Sequence, residues 1–293
     1  MATLLDFIGN TPLVELKNIN TNPNVRLFGK LEGHNPGGSV KDRAAYGLIK
    51  GGIERGIIKS DSKLIEATSG NTGIALAMIA KLHQLDIEIV LPENSTRERV
   101  QTMRAFGAKV TLTPESGGME AAIDYARNKV DNEGYVSLDQ FNNFDNPRMH
   151  YETTGPEIFH DTQGEITHFV SAMGTTGTIM GVSRFLKEQN SDIKIIGAQP
   201  ADNAKIPGIR KWPKEYLPGI FDASRVDQIV EVTELEAREM ARRLAQEEGV
   251  FSGMSSGGSV AAAMKLVPNL TSGIVVCIIC DRGDKYLSTD LFD

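Results

Sequence analysis

The chain has 293 residues, of which 40% are hydrophobic, 24% charged and 6% aromatic, with 29 glycines and a formal net charge of −7. That length suits one large domain or two modest ones, the latter favoured, each with a sizeable core. The acidic balance argues against nucleic-acid binding, which uses a basic face to displace counterions.

The N-terminal stretch to Val14 carries Asp6 within its apolar run and no basic leader, unlike a secretory signal, so cytoplasm is the expected compartment. Short β-branched runs then alternate with helical periodicity, the pattern of an α/β protein with largely parallel sheets. Strands are expected at Arg26–Glu32, Lys63–Ala67, Glu88–Leu91, Lys109–Leu112, Thr167–Ala172, Lys194–Gly197 and Ile274–Ile279. Between them, Ile74, Ala75, Met78, Ile79 and Leu82 share one helical face. So do Ile179, Val182 and Leu186, and further on Ala237, Met240, Ala241, Leu244 and Ala245. Thr233 and Glu236 form a capping-box pattern before the last of these helices.

The longest strongly apolar run, Ile274–Cys280, is too short to span a bilayer, so no membrane partner is expected. Cys277 and Cys280 are the two cysteines, and their odd separation in a strand sends the sulfurs to opposite faces. Neither a disulfide nor a shared metal is therefore expected.

In the segment Asn35-Pro-Gly-Gly-Ser-Val-Lys-Asp-Arg43, Ser39 is a suitable N-cap and places Lys41 in a first helical turn. The helix dipole and burial would both push that amine toward its nucleophilic neutral form, with Asp42 in partial opposition. Taken alone, a solvated surface lysine is the simpler reading. Thr68-Ser69-Gly70-Asn71-Thr72-Gly73 follows a strand and opens a helix, so it offers N–H groups and hydroxyls to an anion such as a substrate carboxylate. The competing reading is an elaborate N-cap using Ser69 or Asn71.

Gly174, Thr175, Thr176, Gly177 and Thr178 lie between a strand and an amphipathic helix, where backbone N–H groups and hydroxyls would cradle a phosphate. A tight turn capped by threonine is the alternative, and the density of threonine favours phosphate. The glycines do not follow the dinucleotide spacing, and the next strand ends at Gly197-Ala-Gln199 without a ribose-binding acid, which demotes hydride transfer. From Pro200 to about Ser224, prolines and glycines interrupt every period, as in a lid or binding loop. The five histidines show no metal-ligand spacing, and no G-x-S-x-G elbow occurs.

Together with Ile8-Gly-Asn-Thr-Pro-Leu13, these segments make the chain resemble the cysteine synthase family, the O-acetylserine sulfhydrylases, over essentially its whole length. Gln140-Phe-Asn-Asn, Thr153-Thr-Gly-Pro-Glu157, Ile209-Arg-Lys-Trp-Pro213 and Cys280-Asp-Arg-Gly-Asp-Lys-Tyr-Leu-Ser288 are similar to its B-type branch. The resemblance implies a fold-type II, tryptophan synthase β-like α/β enzyme with pyridoxal 5'-phosphate in a cleft between two lobes. Residues 1–12 and 34–145 would form the N-terminal lobe, and 13–33 with 146–293 the C-terminal lobe. A homodimer is implied as well.

By the same resemblance Lys41 carries the cofactor as a Schiff base, Asn71 hydrogen-bonds its ring oxygen, residues 174–178 hold its phosphate and Ser255 faces the pyridine nitrogen. A serine there cannot keep that nitrogen protonated, which favours β-elimination over transamination. Thr68, Ser69, Thr72 and Gln140 would grip the substrate carboxylate, and Arg210 with Lys211, beside Trp212, would attract an anionic sulfur donor. Cys280 and Asp281 are further candidates, with a structural role competing. The implied reaction replaces the acetate of O-acetyl-L-serine by sulfide or thiosulfate through a bound aminoacrylate, with Lys41 as general base. Related β-replacement or dehydration chemistry is the alternative. Another is a silent homologue that partners a serine acetyltransferase, against which intact Lys41 and Asn71 argue.

Overall fold

The computed structural model describes residues 2–68 and 70–293. In chain order the strands are β1 (Leu13–Glu15), β2 (Val25–Leu31), β3 (Lys63–Ala67), β4 (Asp86–Pro92), β5 (Lys109–Thr113), β6 (Val136–Ser137), β7 (His168–Ala172), β8 (Lys194–Pro200), β9 (Gln228–Val232) and β10 (Gly273–Ile279). The helices are α1 (Lys41–Glu54), α2 (Asn71–Leu82), α3 (Arg97–Ala105), α4 (Gly118–Glu133), α5 (Asp145–Met149), α6 (Gly155–Asp161), α7 (Gly177–Gln189), α8 (Glu234–Glu248) and α9 (Met254–Leu266).

Two sheets result. The smaller is parallel, in the order β5-β4-β3-β6, and the larger runs β1-β2-β10-β7-β8-β9, parallel except for the antiparallel β1–β2 pair. Strand β10 is central, with Val276 opposite both Phe28 of β2 and Phe169 of β7. Both of its faces are covered, which is why it reads as a continuous apolar run. Val275, Cys277 and Ile279 face the α8–α9 side, and Val276, Ile278 and Cys280 the α7 side. The two cysteines are therefore on opposite faces, and both are free thiols.

Sequence periodicity is followed closely at the helices, except that Ala245 of α8 is only half-buried and one residue of α2 departs further. Ile74, Ala75, Met78 and Ile79 are buried, but Leu82 is exposed, because α2 packs round most of its circumference and ends there. The Thr233–Glu236 capping box is formed, with the Thr233 N–H donating to the Glu236 carboxylate at 2.7 Å. The structure adds three strands to the expected set: β1 and β6 are very short, and β9 is an edge strand whose Val230 and Val232 alone turn inward. No helix among the described residues is long and apolar enough to cross a membrane.

Candidate active site

The strand-to-helix loops of both sheets open on one cleft of about 1240 Å³. Lys41, the first residue of α1, lines it. The Ser39 hydroxyl accepts the Lys41 backbone N–H at 3.3 Å, so it serves the helix end although the helix boundary falls after Val40. Burial pushes the Lys41 amine down in pKa, opposed by Cys280, Asp281 and Glu32. Asp42 does not oppose it as the sequence suggests. Its carboxylate turns away to the Gly37 N–H, and burial raises it to about 7. No hydrogen bond or ion pair among the described residues engages the Lys41 amine.

Thr68, Asn71 and Thr72 line the cleft at the start of α2, with Gln140 beside them; Ser69 lies outside the described residues. Thr72 donates its hydroxyl proton to Gln140 Oε1 at 2.9 Å, and Gln140 Nε2 donates to Glu66 at 3.2 Å. Burial raises Glu66 to about 7, which removes much of the charge that would repel a bound carboxylate. Asn71 Nδ2 donates to Asp281 at 2.7 Å, while its Oδ1 accepts from Lys285 at 3.0 Å.

Across the cleft, Gly174, Thr175 and Thr178 line the N-terminal end of α7, whereas Thr176 and Gly177 are buried behind them. Thr176 has φ +70°, a conformation costly for a β-branched residue, and its buried hydroxyl has no partner. Gly174 is held flush: a Cβ there would lie 2.6 Å from the Gly208 carbonyl. Thr178 Oγ1 is 3.3 Å from His150 Nε2. Burial drives His150 down to about 3, so the ring is neutral at physiological pH.

Ser255, at the start of α9, is buried at the cleft floor with Cys280. Burial pushes the Cys280 thiol up to about 11. Arg210 and Trp212 line the cleft, the guanidinium 5.1 Å from the indole ring, and Trp212 Nε1 donates to the Gly174 carbonyl at 2.8 Å. Lys211, which the sequence pairs with Arg210 as an anion attractor, instead bonds Asp202 at 2.7 Å and Glu231 at 2.5 Å. Asp281 lines a separate depression of about 500 Å³ and reaches the site through Asn71.

Behind α1 lies a buried charge network absent from the sequence reading. Arg43 makes two bidentate pairs, to Glu32 at 2.8 Å through Nε and Nη2, and to Glu157 at 2.6 and 2.7 Å. Lys30 closes it on Glu157 at 3.0 Å and Asp161 at 3.1 Å. Glu32 follows β2, and Glu157 lies on α6, so the network ties α1 to elements outside its own sheet.

The sequence profile of the family described as pyridoxal-phosphate dependent enzyme matches residues 4–281. The chain belongs to this family. Cysteine synthase B of Pseudomonas aeruginosa is 54% identical, across 99% of this chain and 97% of that protein. A crystal structure of cysteine synthase from Entamoeba histolytica superposes with a TM-score of 0.94 at 36% identity, covering 100% of this chain and 90% of the other. O-ureido-L-serine synthase gives 0.94 at 34% identity, covering 100% and 95%.

The family's cofactor is pyridoxal 5'-phosphate, and the cleft suits it. An amine without a partner among the described residues and depressed in pKa, and a helix N-terminus lined by threonine hydroxyls, match an aldehyde carrying a phosphate.

Proposed function

We infer that this chain makes L-cysteine and acetate from O-acetyl-L-serine and sulfide, and that thiosulfate serves as a second donor to give S-sulfocysteine. The observation that carries this reading is one cleft in which the unpartnered Lys41 amine shares the space with the threonine-lined end of α7. It fits the 54% identity to a cysteine synthase B. Lys41 would hold the cofactor covalently, Gly174, Thr175 and Thr178 its phosphate, Asn71 its ring oxygen and Ser255 its ring nitrogen. When bound, the cofactor supplies the electron sink that lets the Cα proton and the β-acetate leave.

Lys41 Nζ would take the Cα proton and later return it, a role suited to an amine with lowered pKa. Thr68, Thr72 and Gln140 orient the substrate carboxylate, with Ser69 in the same loop. Gln140 is itself fixed by Thr72 and Glu66, and among the described residues one of its N–H groups is left for that purpose. Arg210, stacked on Trp212, attracts the anionic donor. The reading carries with it a cytoplasmic homodimer and two lobes divided at residues 1–12 plus 34–145 and 13–33 plus 146–293. The pairing of β1 and β2 with β10 supports that division.

Steady-state assays with O-acetylserine, O-phosphoserine and serine, each with sulfide or thiosulfate, test it. Turnover should require the acetylated substrate, and Lys41→Ala should abolish it while leaving the fold intact. A purified protein without visible absorbance after cofactor addition, or an active Lys41→Ala variant, would overturn the reading.

A further inference from the structure

We infer that Lys285, acting with Asp281, is a positioning residue that fixes which end of the Asn71 amide faces the cleft. The inference rests on the proposed contact of Asn71 with the cofactor. Lys285 sits in the turn Gly283–Tyr286 that follows β10, and its three donors have three acceptors. They are the Gly37 carbonyl at 2.9 Å, the Gly38 carbonyl at 3.1 Å and Asn71 Oδ1 at 3.0 Å. Asp281 Oδ2 accepts from Asn71 Nδ2 at 2.7 Å and from the Tyr286 hydroxyl at 2.8 Å.

An amide can turn over about its terminal bond, and its two ends are nearly equal in shape but opposite in hydrogen-bonding sense. An ammonium only donates, and an ionised carboxylate only accepts. A flipped Asn71 would set its NH₂ against Lys285 and its oxygen against Asp281, losing two charge-assisted hydrogen bonds at once. The two charges therefore admit one orientation. In that orientation one N–H goes to Asp281 and the second remains for the cleft that Asn71 lines.

The same ammonium grips the two carbonyls that lead into Lys41, so one residue near the end of the chain registers two separate loops against each other. Its approach depends on Gly38: φ is +81°, and a Cβ there would lie 3.3 Å from Lys285 Nζ.

The test is a cycle on the full-length protein, stripped of cofactor and titrated with pyridoxal 5'-phosphate by visible absorbance. Asn71→Ala and Lys285→Met should each weaken cofactor affinity about tenfold, the scale of one charge-assisted hydrogen bond. Because Lys285 acts through Asn71, the double variant should be no worse than about tenfold. Lys285→Arg, which keeps a charge that only donates, should lose less affinity than Lys285→Met.

Wild-type affinity in Lys285→Met, or an additive loss of about a hundredfold in the double variant, would overturn the inference. If Asn71→Ala itself left the affinity unchanged, the proposed cofactor contact would fail instead. Should Lys285→Met not fold, Asp281→Asn takes its place in the cycle with the same expected coupling.

Discussion

Replacing Arg43 with Met removes the cation shared by the buried Glu32 and the part-buried Glu157 without removing a nucleophile or a cleft-lining group. Burial alone would raise Glu32, but the Arg43 charge and hydrogen bonds overturn this and hold it at about 2, against a usual 4.5. That difference corresponds to about 3 kcal/mol at neutral pH. This agrees with the roughly 3–5 kcal/mol cost of leaving one member of a buried pair alone. At about 2 °C per kcal/mol for a chain of this size, the melting temperature should fall by roughly 6–10 °C.

The pH dependence supplies a sharper check. In the parent the depressed Glu32 stabilises the fold above pH 4.5, and this contribution is lost as pH falls toward about 2. In Arg43→Met, burial without the cation lifts Glu32 above its unfolded value, so its contribution is present in acid and lost as pH rises. Thermal melts of cofactor-loaded protein should therefore show the gap between parent and variant closing from pH 7 to pH 4, and Glu32→Gln should recover part of the loss in the variant. A gap that is constant with pH, or a fall of less than about 2 °C, would refute the reasoning.

Trp212→Phe keeps a ring against Phe141 but loses the bond to the Gly174 carbonyl, so cofactor affinity should drop by about fivefold, near 1 kcal/mol, in an absorbance titration. Lys211→Ala should leave the ratio of thiosulfate to sulfide turnover within about twofold, since its amine is already paired with Asp202 and Glu231; Arg210→Ala should lower thiosulfate use about tenfold. In the native protein both thiols should resist a thiol reagent at pH 8, because burial raises Cys277 strongly and Cys280 to about 11. Cys280 should become reactive only as pH climbs toward that value, and both should react at once in denaturant.

What could be read from the chain depended on how local each signal was. Strand β10 announces itself because both faces are buried, whereas β9 hides because Gln228, Ile229 and Glu231 face outward and break the apolar pattern. The loops at 68–73 and 174–178 are legible because glycine, threonine and asparagine before a helix have a local purpose. Arg43, Glu157, His150 and Lys285 carried no such mark. Arg43 meets Glu157 114 positions away, and Lys285 meets Asn71 214 positions away, so composition gives no sign of either pairing. The same limit explains Lys211 and Asp42, whose charges are counted correctly in the sequence but satisfied by neighbours that only the fold supplies.

Because β10 lies between β2 and β7, the larger sheet cannot close until residues 273–279 have been made. The smaller sheet uses only residues 63–137 and is complete far earlier in synthesis. During the interval β2 and β7 each present an open edge, the kind of surface on which nascent chains join one another. A chain stopped ahead of Gly273 would lack β10 and keep both of those edges open, an aggregation-prone half-assembly.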